Sequence, residues 1–298
     1  MNINTIVSLS VNGIAMGMIY ALMAMGLILL IRAIGVMNFA QGDLLMFGAF
    51  VTCALTVDLK LPLWIMIPLA LISFAVIGVI FMFTVYWPLK DATYPTATVI
   101  STMGAAMALK EIATLIWGSL PRSMPPLMKN PKTGKAAVLN LFGIKLQWQF
   151  VLTIIVGAVL IWLVFVLFEK LYAGRMMQAA AQDKYAAELL GIPTILTTAA
   201  TYIIVVIMVS TGGYMIAPIF MVSNTLGSLQ LRAFAGVVIG GLGNIKGAII
   251  GSLIIGLVES FSTIQFSQYK DAVVFIVLIA MLLVRPQGLF GEKVADKA

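Results

Sequence analysis

Few residues in this chain can do covalent or proton chemistry, and their positions are informative. The 298 residues include no histidine, which excludes His-based triads, imidazole proton relays and His metal sites. Cys53 is the single cysteine, so no intrachain disulfide can form. Lys110 and Glu111 fall inside an apolar stretch. Ionisable groups there are functional candidates, unless the stretch ends early and both sit at its edge. Asn38, Gln41 and Asp43 flank Gly42 at a candidate helix break, where they can cap the break or line a polar path. Asp91, Glu259 and Asp271 read as interfacial residues at helix ends. No charged dyad stands out, so an intramembrane enzyme lacks its catalytic constellation. A carrier driven by an ion gradient would show paired carboxylates mid-span, and mid-span acids are nearly absent. No G-x-x-x-x-G-K-[ST] phosphate loop occurs: Gly243-Asn-Ile-Lys-Gly247 and Thr133-Gly-Lys135 lack its spacing.

The elements that must hold these residues are membrane helices. Hydrophobic residues make up 62% of the chain and charged residues 10%, against about 25% charged in soluble domains. A ~30 Å hydrocarbon core needs roughly 20 apolar residues per helix. Residues 1–31, 61–89, 146–168 and 189–231 carry no charge. The runs are continuously apolar without period-two alternation, which favours an all-α polytopic bundle over a barrel. No Lys or Arg precedes the first run, which is too long for a signal core, so it is expected to remain as a span. The net charge of +7 collects at the ends of runs, the pattern of a headgroup rim and not of a nucleic-acid surface.

The pattern predicts about eight spans in one transmembrane domain covering 1–298, near 6–31, 44–57, 61–87, 94–117, 148–168, 194–217, 234–258 and 272–284. The stretch 118–147 holds Pro121, Pro125, Pro126, Pro131 and Gly134 and reads as a loop. The stretch 169–193 reads as a short helix over 175–190, stopped by Gly191 and Pro193. Region 194–258 carries only Arg232 and Lys246 as charges and many glycines, among them Gly212, Gly213, Gly227, Gly236, Gly240, Gly241, Gly243 and Gly247. Gly-broken helices or a re-entrant pair are expected there, although glycines also serve close helix packing. Gly-rich 35–50 and 236–253 each contain an Asn, Asn38 and Asn244, a suggestion of an internal repeat whose spacings do not align.

Four motifs in order carry a resemblance. Gly35-Val-Met-Asn-Phe-Ala-Gln-Gly-Asp-Leu-Leu-Met-Phe-Gly-Ala49 resembles the N-terminal signature of branched-chain amino-acid permeases of bacterial ABC importers. The stretch from Gly174 to Ile192 is similar to that family's cytoplasmic coupling segment. Phe234-Ala-Gly-Val-Val-Ile-Gly-Gly-Leu-Gly-Asn-Ile-Lys-Gly-Ala248 and Arg285-Pro-Gln-Gly-Leu-Phe-Gly291 match its C-terminal landmarks. The compact length fits the shorter of the two permeases, and Gln41 stands where many members have His.

The resemblance implies a permease in the bacterial cytoplasmic (inner) membrane. It implies as partners a second homologous permease, two ABC ATPase subunits and a soluble extracytoplasmic substrate-binding protein. ATP and Mg would be used by the ATPases, with no cofactor or metal in this chain. The ATPase-coupling residues would be Gly174, Arg175, Ala179, Ala180, Gln182, Asp183, Ala187, Leu190 and Gly191. The translocation pathway would involve Asn38, Gln41, Gly42 and Asp43 together with Gly240, Gly241, Gly243 and Asn244. Arg122, Lys129, Lys132 and Lys135 would receive the acidic residues of the binding protein. Alternatives are the same machine with urea, short amides or other amino acids as cargo, or a stand-alone secondary transporter.

Orientation is mixed on the positive-inside rule. Arg32 after the first span places the N-terminus outside, which makes 118–147 extracytoplasmic and 169–193 cytoplasmic. Yet 118–147 carries the larger excess of basic residues. Arg285, Lys293 and Lys297 favour an inside C-terminus, which requires one further crossing hidden in 194–258.

Overall fold

The computed structural model describes residues 3–90, 92, 94–128, 136–141, 144–265 and 267–291. Helix α1 (Ile3–Ile34) forms its axis: residues 15–30 are buried on every side, as a helix apolar all round must be. Helix α10 (Ile245–Ser262) runs antiparallel to it in backbone contact. A Cβ on Gly17 would lie 2.8 Å from Leu253 Cα, and one on Gly256 would lie 2.4 Å from the Gly13 carbonyl oxygen. Small residues permit this approach, which van der Waals contact stabilises in lipid. The Ser260 hydroxyl adds a hydrogen bond to the Leu9 carbonyl at 2.7 Å.

Helix α8 (Thr194–Ile216) packs on the opposite flank of α1, with Gly26 against Val205 and Val209 and Gly212 near Ile19 and Leu22. Helix α3 (Leu63–Phe81) lies against α8 where Gly78 meets Ile203. Helices α4 (Pro95–Trp117), α5 (Trp148–Glu169) and α11 (Lys270–Val284) form the periphery and expose Ile100, Met107, Trp162, Ile276 and Leu283, the surface expected toward lipid or a partner. Among the described residues seven helices are long and apolar enough to cross a membrane: α1, α3 extended to Leu89, α4, α5, α8, α10, and α11 counted from Ser267.

Two further helices are short and internal. Helix α2 (Gln41–Cys53) has 13 residues and continues through a wider π-turn, Ala54–Asp58. Helix α9 (Leu229–Gly240) has 12 residues. At 1.5 Å per residue these helices are about 20 and 18 Å long, too short to span alone. The expected span 234–258 is therefore corrected: it is the end of α9, a turn at 241–244, and most of α10.

The passage that parity demanded in 194–258 is α9 with the irregular stretch 217–228 before it. Four passages then follow residue 193 and bring 285–291 to the same end as 169–193, where Arg32, Glu169 and Phe290 line one groove. Residues 118–147 lie at the other end, because the single helix α5 separates the two stretches. Lys293 and Lys297 lie outside the described residues. The order long, short, long, long occurs twice, in α1–α4 and α8–α11, with opposite direction. The packing of α1 on α10 has its counterpart in that of α8 on α3. By this element order residues 35–40 correspond to 217–228, not to 236–253.

The 118–147 stretch is not all loop. Strands β1 (Val138–Leu141) and β2 (Ile144–Gln147) form an antiparallel hairpin, Val138 opposite Gln147, that leads into α5.

Candidate functional site

Polar groups gather in three places, the first being the short helices after α5. The single helix predicted over 175–190 is two, α6 (Tyr172–Gln182) and α7 (Lys184–Leu189), hinged at Asp183. The Asp183 carboxylate accepts the Ala186 N–H at 3.0 Å and caps α7, so the hinge is a structured corner. Of the predicted coupling residues, Gly174 and Ala187 are buried in the chain's own packing. A Cβ on Gly174 would sit 2.3 Å from the Phe168 carbonyl oxygen, so only glycine permits α6 to fold back on α5. Ala179 and Ala180 are half-buried, whereas Arg175, Gln182, Asp183, Leu190 and Gly191 are exposed. Gly191 ends the segment with φ +79°. Met177 is buried, and the Gln178 amide donates to the Phe168 carbonyl at 2.7 Å. Thr194 donates to Glu188 at 2.6 Å, tying the segment to α8.

The exposed surface of α7 and the residue after it carries large apolar side chains beside Lys184 and Glu188. Tyr185, Leu189 and Leu190 are 73%, 72% and 82% exposed on a segment otherwise rich in charge. Tyr185 and Leu189 stand four residues apart and share one helix face. The candidate list omitted both, although that spacing was legible. An exposed apolar patch rimmed by polar groups marks a docking surface.

The second place is the centre of the bundle, where α2 begins against the start of α9. Gly42 meets the Gly227 carbonyl so closely that a Cβ would lie 2.1 Å from it, and the Asp43 carboxylate lies over Gly227. Asn38 and Gln41 are fully buried, and Gln230 of α9 nearly so. The Asn38 carbonyl accepts from Ala40 N at 2.9 Å, a local turn that starts α2, while no side chain caps α2 itself. The Asn38 Nδ2 and both amide atoms of Gln41 and of Gln230 have no hydrogen-bond partner among the described residues. Each such buried group costs about 1–3 kcal/mol, a cost that points to a polar role. Sequence reasoning missed Gln230. On the open flank of this junction Lys110 lies near enough to act electrostatically on Asp43. Lys110 and Glu111 are both exposed within α4, together with Met107 and Leu115. A charged face at membrane depth does not suit lipid. Thr102 accepts from Phe39 N at 3.2 Å, and Asn224 reaches Thr114 at 3.4 Å.

Gly240, Gly241, Gly243 and Asn244 are not part of that junction. They form the turn between α9 and α10 at the end that carries 169–193. Asn244 caps α10 by accepting Gly247 N at 3.1 Å and donates to the Phe290 carbonyl at 3.2 Å. Leu289 N and Phe290 N bind the otherwise free carbonyls of Ile239 and Gly240 at 2.8 and 3.0 Å. The C-terminal motif 285–291 is thus a clasp on this turn. Gly241 and Gly243 adopt φ +109° and +89°, which favours glycine at both.

The third place is the opposite end. The Arg122 guanidinium pairs with Asp58, an interaction that raises its pKa, and its backbone exchanges two 2.8 Å hydrogen bonds with Val222. Arg122 therefore staples the loop to the break before α9, its guanidinium paired and partly exposed. Lys129, Lys132 and Lys135 lie outside the described residues, as does Asp91. Glu259, expected at an interface, is buried: Tyr20 donates to it at 2.5 Å, and Arg232 and Lys270 lie 3.4 and 3.6 Å from its other oxygen. Arg232 also binds Asp271 at 2.5 Å, and Asp271 is exposed as expected. Among the described residues no three His, Cys, Asp or Glu side chains gather as a metal set.

The family profile described as branched-chain amino acid transport system, permease component, matches residues 9–282. The high-affinity branched-chain amino acid transport system permease protein LivH of Salmonella typhimurium is 31% identical over 298 residues, covering 96% of each chain. The LivH protein of Escherichia coli is 30% identical with the same coverage. The corresponding BraD protein of Pseudomonas aeruginosa is 28% identical, again over 96% of each chain.

Proposed function

Because this chain belongs to the permease family of branched-chain amino acid transport systems, we propose that it forms part of the translocation pathway of an ATP-driven importer of branched-chain amino acids in a bacterial cytoplasmic membrane. It works by alternating access, beside a second homologous permease. Two ABC ATPase subunits hydrolyse ATP with Mg, and a soluble binding protein delivers the cargo to the end that carries 118–147. The end with α6 and α7 is cytoplasmic.

The observation that carries this reading is the α6–α7 pair. Buried Gly174, Met177 and Ala187 fix its inner face to α5 and α8, while Tyr185, Leu189 and Leu190 face outward. A stiff element tied at both ends to membrane helices passes a push on its outer face directly into the bundle. The chain's lack of a phosphate loop agrees with a separate motor. The charged flank of α4, with Lys110, Glu111 and the nearby Asp43, is the face suited to the second permease and an aqueous path between them.

The test is reconstitution. The chain is co-expressed with a second permease, the ATPases and the binding protein, purified, and placed in liposomes with ATP inside or outside. ATP-dependent uptake of labelled leucine, exceeding that of urea, is expected. Uptake by this chain alone without ATPases would contradict the proposal, as would urea uptake without leucine.

A further inference from the structure

We infer that the cleft beside the start of α9 is a transient binding subsite for the zwitterionic end of an aliphatic amino acid. Arg232 and Lys270 take its carboxylate and Glu259 its ammonium. The inference rests on the proposed cargo class and adds a place where the permease itself holds it.

The cleft measures about 140 Å³ and is lined by 217–228, the start of α9, the end of α10 and the start of α11, toward the end of the bundle that carries 118–147. A single water needs only ~10–15 Å³ of such space, so there is room for a small organic molecule. Its walls are of two kinds. Met16, Phe220, Leu226 and Leu229 supply an apolar side, and Arg232, Glu259 and Lys270 supply charges of both signs. Pockets that orient a small ligand combine these two features.

The charges are only half satisfied by one another. Tyr20 occupies Glu259 Oε2 at 2.5 Å, and Asp271 occupies Arg232 Nη2 at 2.5 Å. Glu259 Oε1 has only the looser neighbours Arg232 Nε at 3.4 Å and Lys270 Nζ at 3.6 Å. Both exceed the roughly 2.7–3.2 Å of an N–H···O hydrogen bond. Arg232 Nε is buried and has no hydrogen-bond partner among the described residues. Glu259 is 6% exposed and the Arg232 side chain 12%, so water does not freely compensate these two, whereas Lys270 is about a third exposed. Tyr20 and Asp271 act as fixed supports that hold one carboxylate and one guanidinium in place. Arg232, Glu259 and Lys270 all line the space, where a ligand of complementary charge fits. A carboxylate inserted between Arg232 and Lys270 and an ammonium set on Glu259 satisfy all three, and a branched aliphatic side chain meets the apolar wall. A ligand with only one charge leaves part of the network unmatched.

The test uses the purified importer complex in nanodiscs without the binding protein and measures binding of labelled L-leucine. Competition by 4-methylpentanoate, which lacks the ammonium, and by 3-methylbutylamine, which lacks the carboxylate, is measured in parallel. Leucine is expected to bind weakly but saturably, with each analogue at least about tenfold poorer. Lys270→Gln is expected to weaken binding about tenfold, the loss of one charge-assisted hydrogen bond, with Lys270→Arg restoring most of it. Glu259→Gln, which keeps a partner for Tyr20, is expected to abolish the preference for leucine over 4-methylpentanoate. Binding unchanged in Lys270→Gln and Glu259→Gln, or analogues that compete as well as leucine, would overturn the inference. If the wild-type complex, placed in liposomes, takes up leucine with ATP yet shows none of these binding effects, the subsite fails while the importer stands. If the wild-type complex takes up no branched-chain amino acid at all, the functional proposal fails and the subsite with it.

Discussion

At the end that carries α6 and α7, the notable side chains are apolar and turned outward: Tyr185, Leu189 and Leu190 stand on short helices whose inner faces are buried. At the end where α11 begins, they are charged and turned inward: Glu259 is buried among Tyr20, Arg232 and Lys270. Each arrangement is costly unless something completes it. Exposed apolar groups in water call for a partner surface, and incompletely paired buried charges call for a polar ligand or a tight network. The contrast matches the two tasks proposed above: one end would receive force through shape, and the other would meet small molecules through charge. The α1–α10 seam, where glycine backbones touch, joins the two.

The largest effect is expected at that seam. Gly256→Leu forces a side chain where a Cβ alone would be 2.4 Å from backbone. The loss should be several kcal/mol, on the scale of severe overpacking, and should abolish recovery of folded permease from membranes, measured by size-exclusion yield. Normal yield would show that the two ends are not joined through α1 and α10. Next comes the apolar end. Leu189→Asp with Leu190→Asp should leave insertion and yield unchanged, since both side chains are exposed. ATP-driven uptake should fall by about 100-fold, a loss of roughly 3 kcal/mol at a docked apolar face. Uptake above half of wild type would erase the contrast between the ends.

A smaller effect is expected at the hinge. Asp183→Ala removes the cap of α7 and should cost about 0.5–2 kcal/mol locally. It would be read as faster amide exchange over 184–189 with a several-fold drop in uptake; unchanged exchange would show that the corner is held by other contacts. The smallest effect is expected at Arg122. Its pair with Asp58 is partly exposed, so Arg122→Ala should change thermal stability by no more than about 1 kcal/mol. It should leave binding-protein affinity nearly intact, because the guanidinium is already engaged. A large loss of affinity in a docking assay would restore Arg122 as a receiving charge.

Much of the framework was legible because lipid imposes a length on every apolar run. The charge-free stretches 61–89 and 146–168 became α3 with its extension to Leu89, and α5, with small shifts at their ends. What sequence could not resolve were the internal short helices. Leu229–Gly240 is apolar enough to merge with its neighbours, and the local signals that 217–228 leaves helical geometry, Pro218, Ser223-Asn224-Thr225 and Gly227, sit inside a long charge-free run that reads as continuous span. The repeat was misaligned for the same reason, since Gly-rich composition at 236–253 serves a turn and a packing seam. Asn38, Gln41, Gly42 and Asp43 were placed at a break by their glycine context. Their partners Gly227 and Gln230 come from far along the chain, and a single sequence does not carry that pairing. Glu259 looked interfacial because a lone acid near the end of an apolar run usually is. Only the antiparallel return of α10 beside α9 brings Arg232 to it. The Asp183 corner could have been read, since Asp is a favoured cap residue in this position.

The central claim, that α7 meets a separate ATPase, is tested most directly by photo-crosslinking from Leu189 replaced by p-benzoylphenylalanine, in membranes containing the assembled importer, with Trp162 on the exposed side of α5 replaced likewise as a control. Irradiation should give an adduct of permease with ATPase from position 189 and none from position 162. Adducts from position 189 only to lipid, or to the binding protein delivered outside the cell, would contradict both the contact and the assigned orientation.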